Sequence, residues 1–144
     1  MRSTRFLLPG ILGLSLLLGS LFSHAQSADP KAGAEQLLGT WTVDLRPTPA
    51  SPAYLKKLII TSVNEGKLDG NFYDGSPLQA GRTNSSATDT LCFAFFTDPG
   101  EGAYQTSGRL VAPGRLEGMT LSTTRGFLLP WRATRDPAPL LWAI

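Results

Sequence analysis

The residue types that most often carry out catalysis are scarce in this chain of 144 residues, which contains one histidine and one cysteine. His24 lies at the end of an apolar N-terminal run, and Cys92 lies among apolar residues in TLCFAFF. His24 belongs to a segment that we expect to be removed as an export signal, so the mature protein would have no histidine to activate a nucleophile. With one cysteine and no histidine, it would also lack a set of zinc ligands. Asp44, Asp69 and Asp74 supply carboxylates, but the latter two precede glycines, a pattern typical of turns. We predict a protein that is not an enzyme, with no cofactor and no metal site.

The first 25 residues have the features of an export signal. Arg2 and Arg5 precede the apolar run FLLPGILGLSLLLGSLF, and Ser23 and Ala25 then form an A-x-A-like cleavage pattern. A proline and several glycines interrupt the run, which favours a cleaved signal over a membrane anchor. We expect residues 1–25 to be removed and the protein to be secreted or periplasmic, without stable membrane insertion.

Removal of the signal changes the charge balance. The full chain has 13 basic and 11 acidic residues, and the two numbers become equal without the two arginines of the signal. No basic cluster is larger than Lys56–Lys57, so a nucleic-acid partner has no electrostatic support. What remains is long enough for one domain with a hydrophobic core. The chain divides into a cleaved signal (residues 1–25), a flexible N-terminal segment (26–36), the domain (37–136) and a C-terminal tail (137–144).

The domain has the period of two that is typical of β-strands. In GTWTVDL the side chains of Trp41, Val43 and Leu45 alternate with polar ones. Eight such segments follow one another, separated by turn signals such as NEG, DG, DPGEG and APG, and no helical periodicity lies between them. Cys92 lies within one of these segments, and we expect it to be a small buried side chain.

Eight antiparallel strands joined by hairpins can close into a barrel that has no exposed edge. We predict an all-β fold, a single eight-stranded antiparallel up-and-down β-barrel. A two-sheet sandwich is the competing architecture, but the chain lacks the long connections of a Greek key. The glycines at 70, 75, 108 and 118 are interpreted as bulges or tight bends that let a small barrel curve.

Four segments, in the same order, resemble the avidin and streptavidin family. GTWTVDL is similar to the first strand of that family, VNEGKLDGNFY to its strand 2–3 hairpin, FAFFTDPGEGAYQTSG to its strand 5–6 hairpin, and PWRATR to the Trp-Lys-Ala-Thr-Arg stretch of its last strand. The resemblance runs from about residue 38 to 135 and implies an avidin-like (calycin-type) barrel. In that family the tryptophan equivalent to Trp131 covers the ligand in a neighbouring subunit, which implies a dimer or a tetramer. Alternatively, Trp131 packs on the rim of its own barrel.

The resemblance also implies a ligand site in which most of the residues that contact biotin are replaced. The corresponding positions fall on or near Val43, Pro47, Tyr73 or Phe72, Thr97, Gly102, Tyr104, Thr124 and Pro139. Each polar group of biotin without a partner costs about 1–3 kcal/mol, so three lost partners weaken binding by roughly two to six powers of ten. We therefore expect a small ligand other than tightly bound biotin. The candidate ligand-binding residues are Val43, Tyr73, Thr97, Tyr104, Thr124 and Trp131.

Two functions of different classes follow from these features. The first is a small-molecule-binding protein that uses an open barrel end. The second is an exported protein-interaction or inhibitor module on a filled barrel, with residues 26–36 as a contacting arm and the apolar tail as a plug or a cover for a neighbour. An open, partly polar cavity of at least ~300 Å³ would favour the first, and a filled interior would favour the second.

Overall fold

A computed structural model describes residues 33–85 and 90–138. Apart from the single 3₁₀ turn η1, the described chain is built of strands. These are, with their residue ranges, η1 (Glu35–Leu37), β1 (Gly39–Asp44), β2 (Leu55–Asn64), β3 (Lys67–Phe72), β4 (Ser76–Pro77), β5 (Gln79–Asn84), β6 (Cys92–Thr97), β7 (Tyr104–Ala112), β8 (Arg115–Ser122) and β9 (Phe127–Arg135). Within the described residues, no helix has the length and apolar character needed to cross a membrane.

The strands close into an eight-stranded antiparallel barrel, and the predicted all-β up-and-down fold is confirmed. Hairpin neighbours pair in sequence order, β1 also pairs with β9, and β3 pairs with β5. The two-residue β4 pairs with the end of β3 and precedes β5, so β4 and β5 together occupy one position in the ring. The interruption falls in the segment SPLQAGRTNSS, where the left-handed φ of Ala80 (52°) breaks the pairing register.

The interior is filled through the period-two alternation of the strands. On β1, Trp41 and Val43 are fully buried, and the alternate residues Thr40, Thr42 and Asp44 are only partly buried. On β6, Phe93 and Phe95 point inward and stack on each other, with ring centroids 6.1 Å apart. These side chains belong to one apolar core that runs along the axis of the barrel.

One end of the barrel, here called the base, is covered by the chain that precedes β1. Leu37 of η1 is completely buried, and the Trp41 indole N–H donates a hydrogen bond to the Leu37 carbonyl (2.9 Å). The Arg135 guanidinium lies 4.4 Å from the Trp41 ring centroid and donates to the carbonyls of Gln36 and Leu38. Residues 33–36, the described end of the segment predicted to be flexible (26–36), thus pack against the barrel.

The prediction for Cys92 was wrong, because its side chain is exposed. Leu91 and Phe93 both point into the core, so the alternation of the strand directs the intervening thiol outward. Several other predictions fall outside the described residues. They are the signal at 1–25, most of the segment at 26–36, and the tail beyond residue 138.

Candidate functional site

A cavity of about 420 Å³ occupies the end of the barrel opposite the base, here called the mouth. Four connections meet at this end, at residues 45–54, 73–75, 98–103 and 123–126. Its wall is mostly aromatic and aliphatic, interrupted by a few hydroxyls and one guanidinium. The lining residues are Leu45, Pro47, Tyr54, Phe72, Tyr73, Thr97, Pro99, Tyr104, Thr120, Arg125, Phe127, Leu128 and Leu129. Such a concave, largely apolar pocket with a few polar groups has the usual composition of a small-molecule site.

One side of the mouth is built by the tight turn between β3 and β4. Tyr73 and Asp74 both adopt left-handed φ angles (52° and 59°), and Gly75 follows at 90°. This conformation is rare for a tyrosine and costs free energy, so the surrounding structure must hold it in place. The turn directs the Tyr73 ring to the rim of the cavity. The hydroxyl oxygens of Tyr73 and Tyr54 are 2.5 Å apart.

The two tyrosines are part of a small charged cluster. The hydrogen bond with Tyr54, together with burial, raises the pKa of Tyr73 to about 12, so the phenol stays neutral at physiological pH. Lys56 lies 4.7 Å from the centroid of the Tyr73 ring, and its ammonium contacts both carboxylate oxygens of Asp74, at 2.7 and 2.9 Å. The contact with Asp74 raises the pKa of Lys56. The positive charge of Lys56 is therefore matched by a close carboxylate.

The opposite side of the mouth carries Arg125, in the turn between β8 and β9. Its guanidinium donates a hydrogen bond to the Tyr104 hydroxyl (3.2 Å) and lies 5.6 Å from the centroid of the Phe127 ring. A carboxylate oxygen of Glu101 is 3.8 Å away. The backbone N–H of Arg125 donates to Ser122 Oγ (3.2 Å), which ties the turn to the end of β8. The contact with Tyr104 raises the pKa of Arg125, which remains a cation at all ordinary pH values.

Buried hydroxyls form the polar part of the barrel interior near the mouth. Thr97 and Thr120 line the cavity, and Thr106 lies behind them. The Thr106 and Thr120 hydroxyl oxygens are 2.9 Å apart, and the Trp131 indole N–H donates to Thr120 Oγ1 (3.2 Å). This network satisfies buried polar atoms that would otherwise cost free energy in an apolar interior.

The structure brings three of the six predicted site residues to one cavity. Tyr73, Thr97 and Tyr104 line it. Val43 is buried in the core, and Thr124 is exposed in a turn beside Gly102. Neither lines the mouth cavity.

Trp131, the sixth predicted residue, lies inside its own barrel, with 4% of its surface exposed. Its ring contacts Phe93, with centroids 6.4 Å apart. Space for the indole comes from Gly108 on β7 and Gly118 on β8, which face each other. A Cβ atom on Gly118 would lie 2.3 Å from Trp131 Cζ2, and one on Gly108 would lie 2.9 Å from Trp131 Cη2. The pairing of these two glycines shows no register shift, so neither is a bulge, and their absent side chains make room for the neighbouring ring.

Sequence reasoning missed most of the rim, including Tyr54, Arg125 and Phe127. Tyr54 and Arg125 lie in connections, where period-two alternation gives no direction for a side chain. Phe127 begins the last strand, next to the turn, and its apolar character was a signal that could have been used. The described residues contain no cluster of three or more His, Cys, Asp or Glu side chains suited to a metal ion. The arrangement can enclose an apolar molecule and offer it hydroxyls and one cation.

Comparisons of the chain with protein-family models, with curated proteins and with solved structures found no match.

Proposed function

We propose that the protein is an exported small-molecule-binding protein of avidin-like type, and that its ligand occupies the mouth cavity. The observation that carries the proposal is the cavity of about 420 Å³, walled by aromatic rings and carrying a few hydroxyls. It exceeds the ~300 Å³ at which ligand pockets usually begin. The packed core between the mouth and the base supplies the rigid support that such a pocket needs.

The ligand proposed here is not tightly bound biotin. The position expected to hold the first ureido contact carries the apolar Val43, which is buried in the core. The position expected to hold the family's tyrosine contact falls on Tyr73 or Phe72, and both residues line the mouth cavity. Calorimetric titration with biotin should show no nanomolar dissociation constant, and such a constant would contradict this part of the proposal.

A neutral apolar probe tests the cavity itself. We expect 2-naphthylacetamide to bind, with a fluorescence change, and Phe127→Ala to weaken binding because Phe127 lines the cavity. Val111→Ala is the control, since Val111 is an exposed apolar residue outside this cavity. Absence of binding, or equal effects of the two substitutions, would refute the assignment of the site. Native mass spectrometry of protein purified from its own source would identify the natural ligand.

Export is part of the proposal and rests on residues 1–25. N-terminal sequencing of the exported protein should begin at residue 26. A protein that retains its first residues in its native location would contradict cleavage.

A second candidate function, binding of a protein partner or of another copy of this chain, is favoured by an apolar patch on the outer surface. Phe96, Met119, Leu121 and Leu128 are 40%, 47%, 37% and 59% exposed. They lie on β6, β8 and β9 around a shallow groove. Side chains of this kind are enriched at protein interfaces. Light scattering should show a dimer or a tetramer if copies associate, and a monomer at all concentrations would contradict self-association.

A further inference from the structure

We propose that the ligand of the mouth cavity is a flat apolar molecule with a single carboxylate, and that Arg125 binds this carboxylate. The inference rests on the proposed function and adds the chemical class of the ligand. It starts from the charge of the wall. Among the described residues that line the cavity, Arg125 is the only charged side chain, and no acidic residue lines it. The pocket therefore matches a ligand with one negative charge.

The charge of Arg125 is only loosely compensated by the protein. Glu101 is 3.8 Å from the guanidinium, and its side chain is 70% exposed. An ion pair with this separation and exposure contributes little free energy. Lys56, the cation on the other side of the mouth, contacts both oxygens of Asp74 within 3 Å and does not line the cavity. A ligand anion would gain more from Arg125 than from Lys56.

Contacts with neighbouring residues hold Arg125 at the mouth. Its backbone N–H is held by Ser122, and its guanidinium lies against the Phe127 ring and donates to the Tyr104 oxygen. The Tyr104 oxygen accepts this bond, and its O–H is a donor that suits a carboxylate oxygen. The planar guanidinium offers paired N–H donors that match the two oxygens of a carboxylate. Guanidinium and phenol together form a head-group site.

The rest of the cavity suits the body of such a ligand. Phe72, Tyr73 and Phe127 supply aromatic faces, and Pro47 and Pro99 supply flat aliphatic ones. Aromatic rings bind one another in offset or edge-to-face geometry, with a gain beyond simple area burial. The Tyr73 phenol is neutral, so this side of the mouth adds no anion that would oppose the ligand. A body of two fused rings is compatible with a cavity of about 420 Å³.

Three probes with the same naphthalene body test the head group. They are 2-naphthylacetate, the neutral 2-naphthylacetamide and the cationic 2-(2-naphthyl)ethylamine, each titrated into the purified protein near pH 7. We expect the carboxylate to bind about three- to tenfold more tightly than the amide, and the amine to bind most weakly. Arg125→Gln should bring the carboxylate-to-amide affinity ratio close to one, because the substitution removes the charge that distinguishes the two head groups. Glu101→Gln should tighten carboxylate binding, since it removes the competing anion.

Arg109→Gln is the matched control. Arg109 has a similar exposure (61% against 55% for Arg125) and a similarly long ion pair, 3.9 Å to Glu117, but it does not line the mouth cavity. It should leave all three affinities unchanged, and circular dichroism would confirm that each variant is folded. Equal binding of carboxylate and amide, or a preference that survives Arg125→Gln, would overturn the inference while the proposed function stands. If none of the three probes binds, the proposed function fails, and the inference fails with it.

Discussion

Replacing Trp131 with phenylalanine separates two roles of this side chain, because a core residue and a ligand-covering residue fail in different ways. The indole is buried in its own barrel, beside Phe93, and its N–H donates to Thr120. Loss of that hydrogen bond costs about 0.5–1.5 kcal/mol, and the space left by the smaller ring costs about 1–2 kcal/mol. We expect the free energy of unfolding to fall by about 1.5–3.5 kcal/mol, a large fraction of the stability of a domain this size.

The assay for Trp131→Phe is urea unfolding followed by circular dichroism, which does not depend on the fluorescence of the removed indole. The same samples are used for light scattering and for titration with 2-naphthylacetamide. Since Trp131 does not line the mouth cavity, we expect the probe affinity and the association state to match those of the unchanged protein. Phe127→Ala should have the opposite profile, with a larger loss of binding than of stability.

A result of the reverse kind for Trp131→Phe would refute this reasoning. If its free energy of unfolding stays within about 0.5 kcal/mol of the starting protein while ligand affinity or association is lost, the indole acts on a neighbouring subunit, as in the avidin family. The packing of Trp131 against its own barrel would then not describe the working state of the protein.

Three further predictions concern pH, one phenol and one glycine. The ion pair with Lys57 lowers the pKa of Asp136. A carboxylate whose pKa is lower in the folded state stabilises the protein above its unfolded-state pKa of about 3.9, and this stability is lost as the pH falls through the folded-state pKa. Asp136→Asn should therefore flatten the acid side of a plot of unfolding free energy against pH, and an unchanged plot would contradict this. Tyr54→Phe removes the main cause of the raised pKa of Tyr73, and ultraviolet titration should show this pKa falling from about 12 toward about 10; a midpoint that stays in place would exclude the hydrogen bond as the cause. Gly118→Ala should lower the urea midpoint by the equivalent of about 1–3 kcal/mol, because the added Cβ would lie 2.2 Å from the Ser107 carbonyl oxygen and 2.3 Å from the buried indole. An unchanged midpoint would contradict this close packing.

The barrel could be predicted from the sequence because its signals are local. Trp41 and Val43 alternate with polar residues, and the predicted turn signals at residues 65–66, 74–75, 98–102 and 113–114 fall in connections between strands. The same alternation, applied strictly, would have placed Cys92 outside, since Leu91 and Phe93 take the inner positions. The error arose from treating apolar neighbours in the sequence as evidence of burial, when in a strand the immediate neighbours of an exposed residue are the buried ones.

The candidate site was only half predictable, because it depends on distances between connections that are far apart in sequence. Tyr73, Thr97 and Tyr104 were found at the ends of strands, where the resemblance gave them positions. Arg125 comes to the cavity through a turn whose direction no local pattern specifies. The inward course of Trp131 depends on glycines that face each other on β7 and β8, and this pairing is set by strand register, which is not visible in one strand alone.

Under the proposed function, the base of the barrel contributes mainly to stability and the mouth mainly to binding. At the base, Leu37 and Trp41 are completely buried and satisfy each other's polar groups, so substitution there is expected to cost stability first. At the mouth, Tyr73 is held in a left-handed conformation that costs free energy, and its ring is only partly covered. A protein selected for stability alone would replace such a residue with glycine or asparagine, which tolerate this backbone conformation. Under the proposed function, a ligand that contacts the Tyr73 ring would offset the cost of this strained conformation.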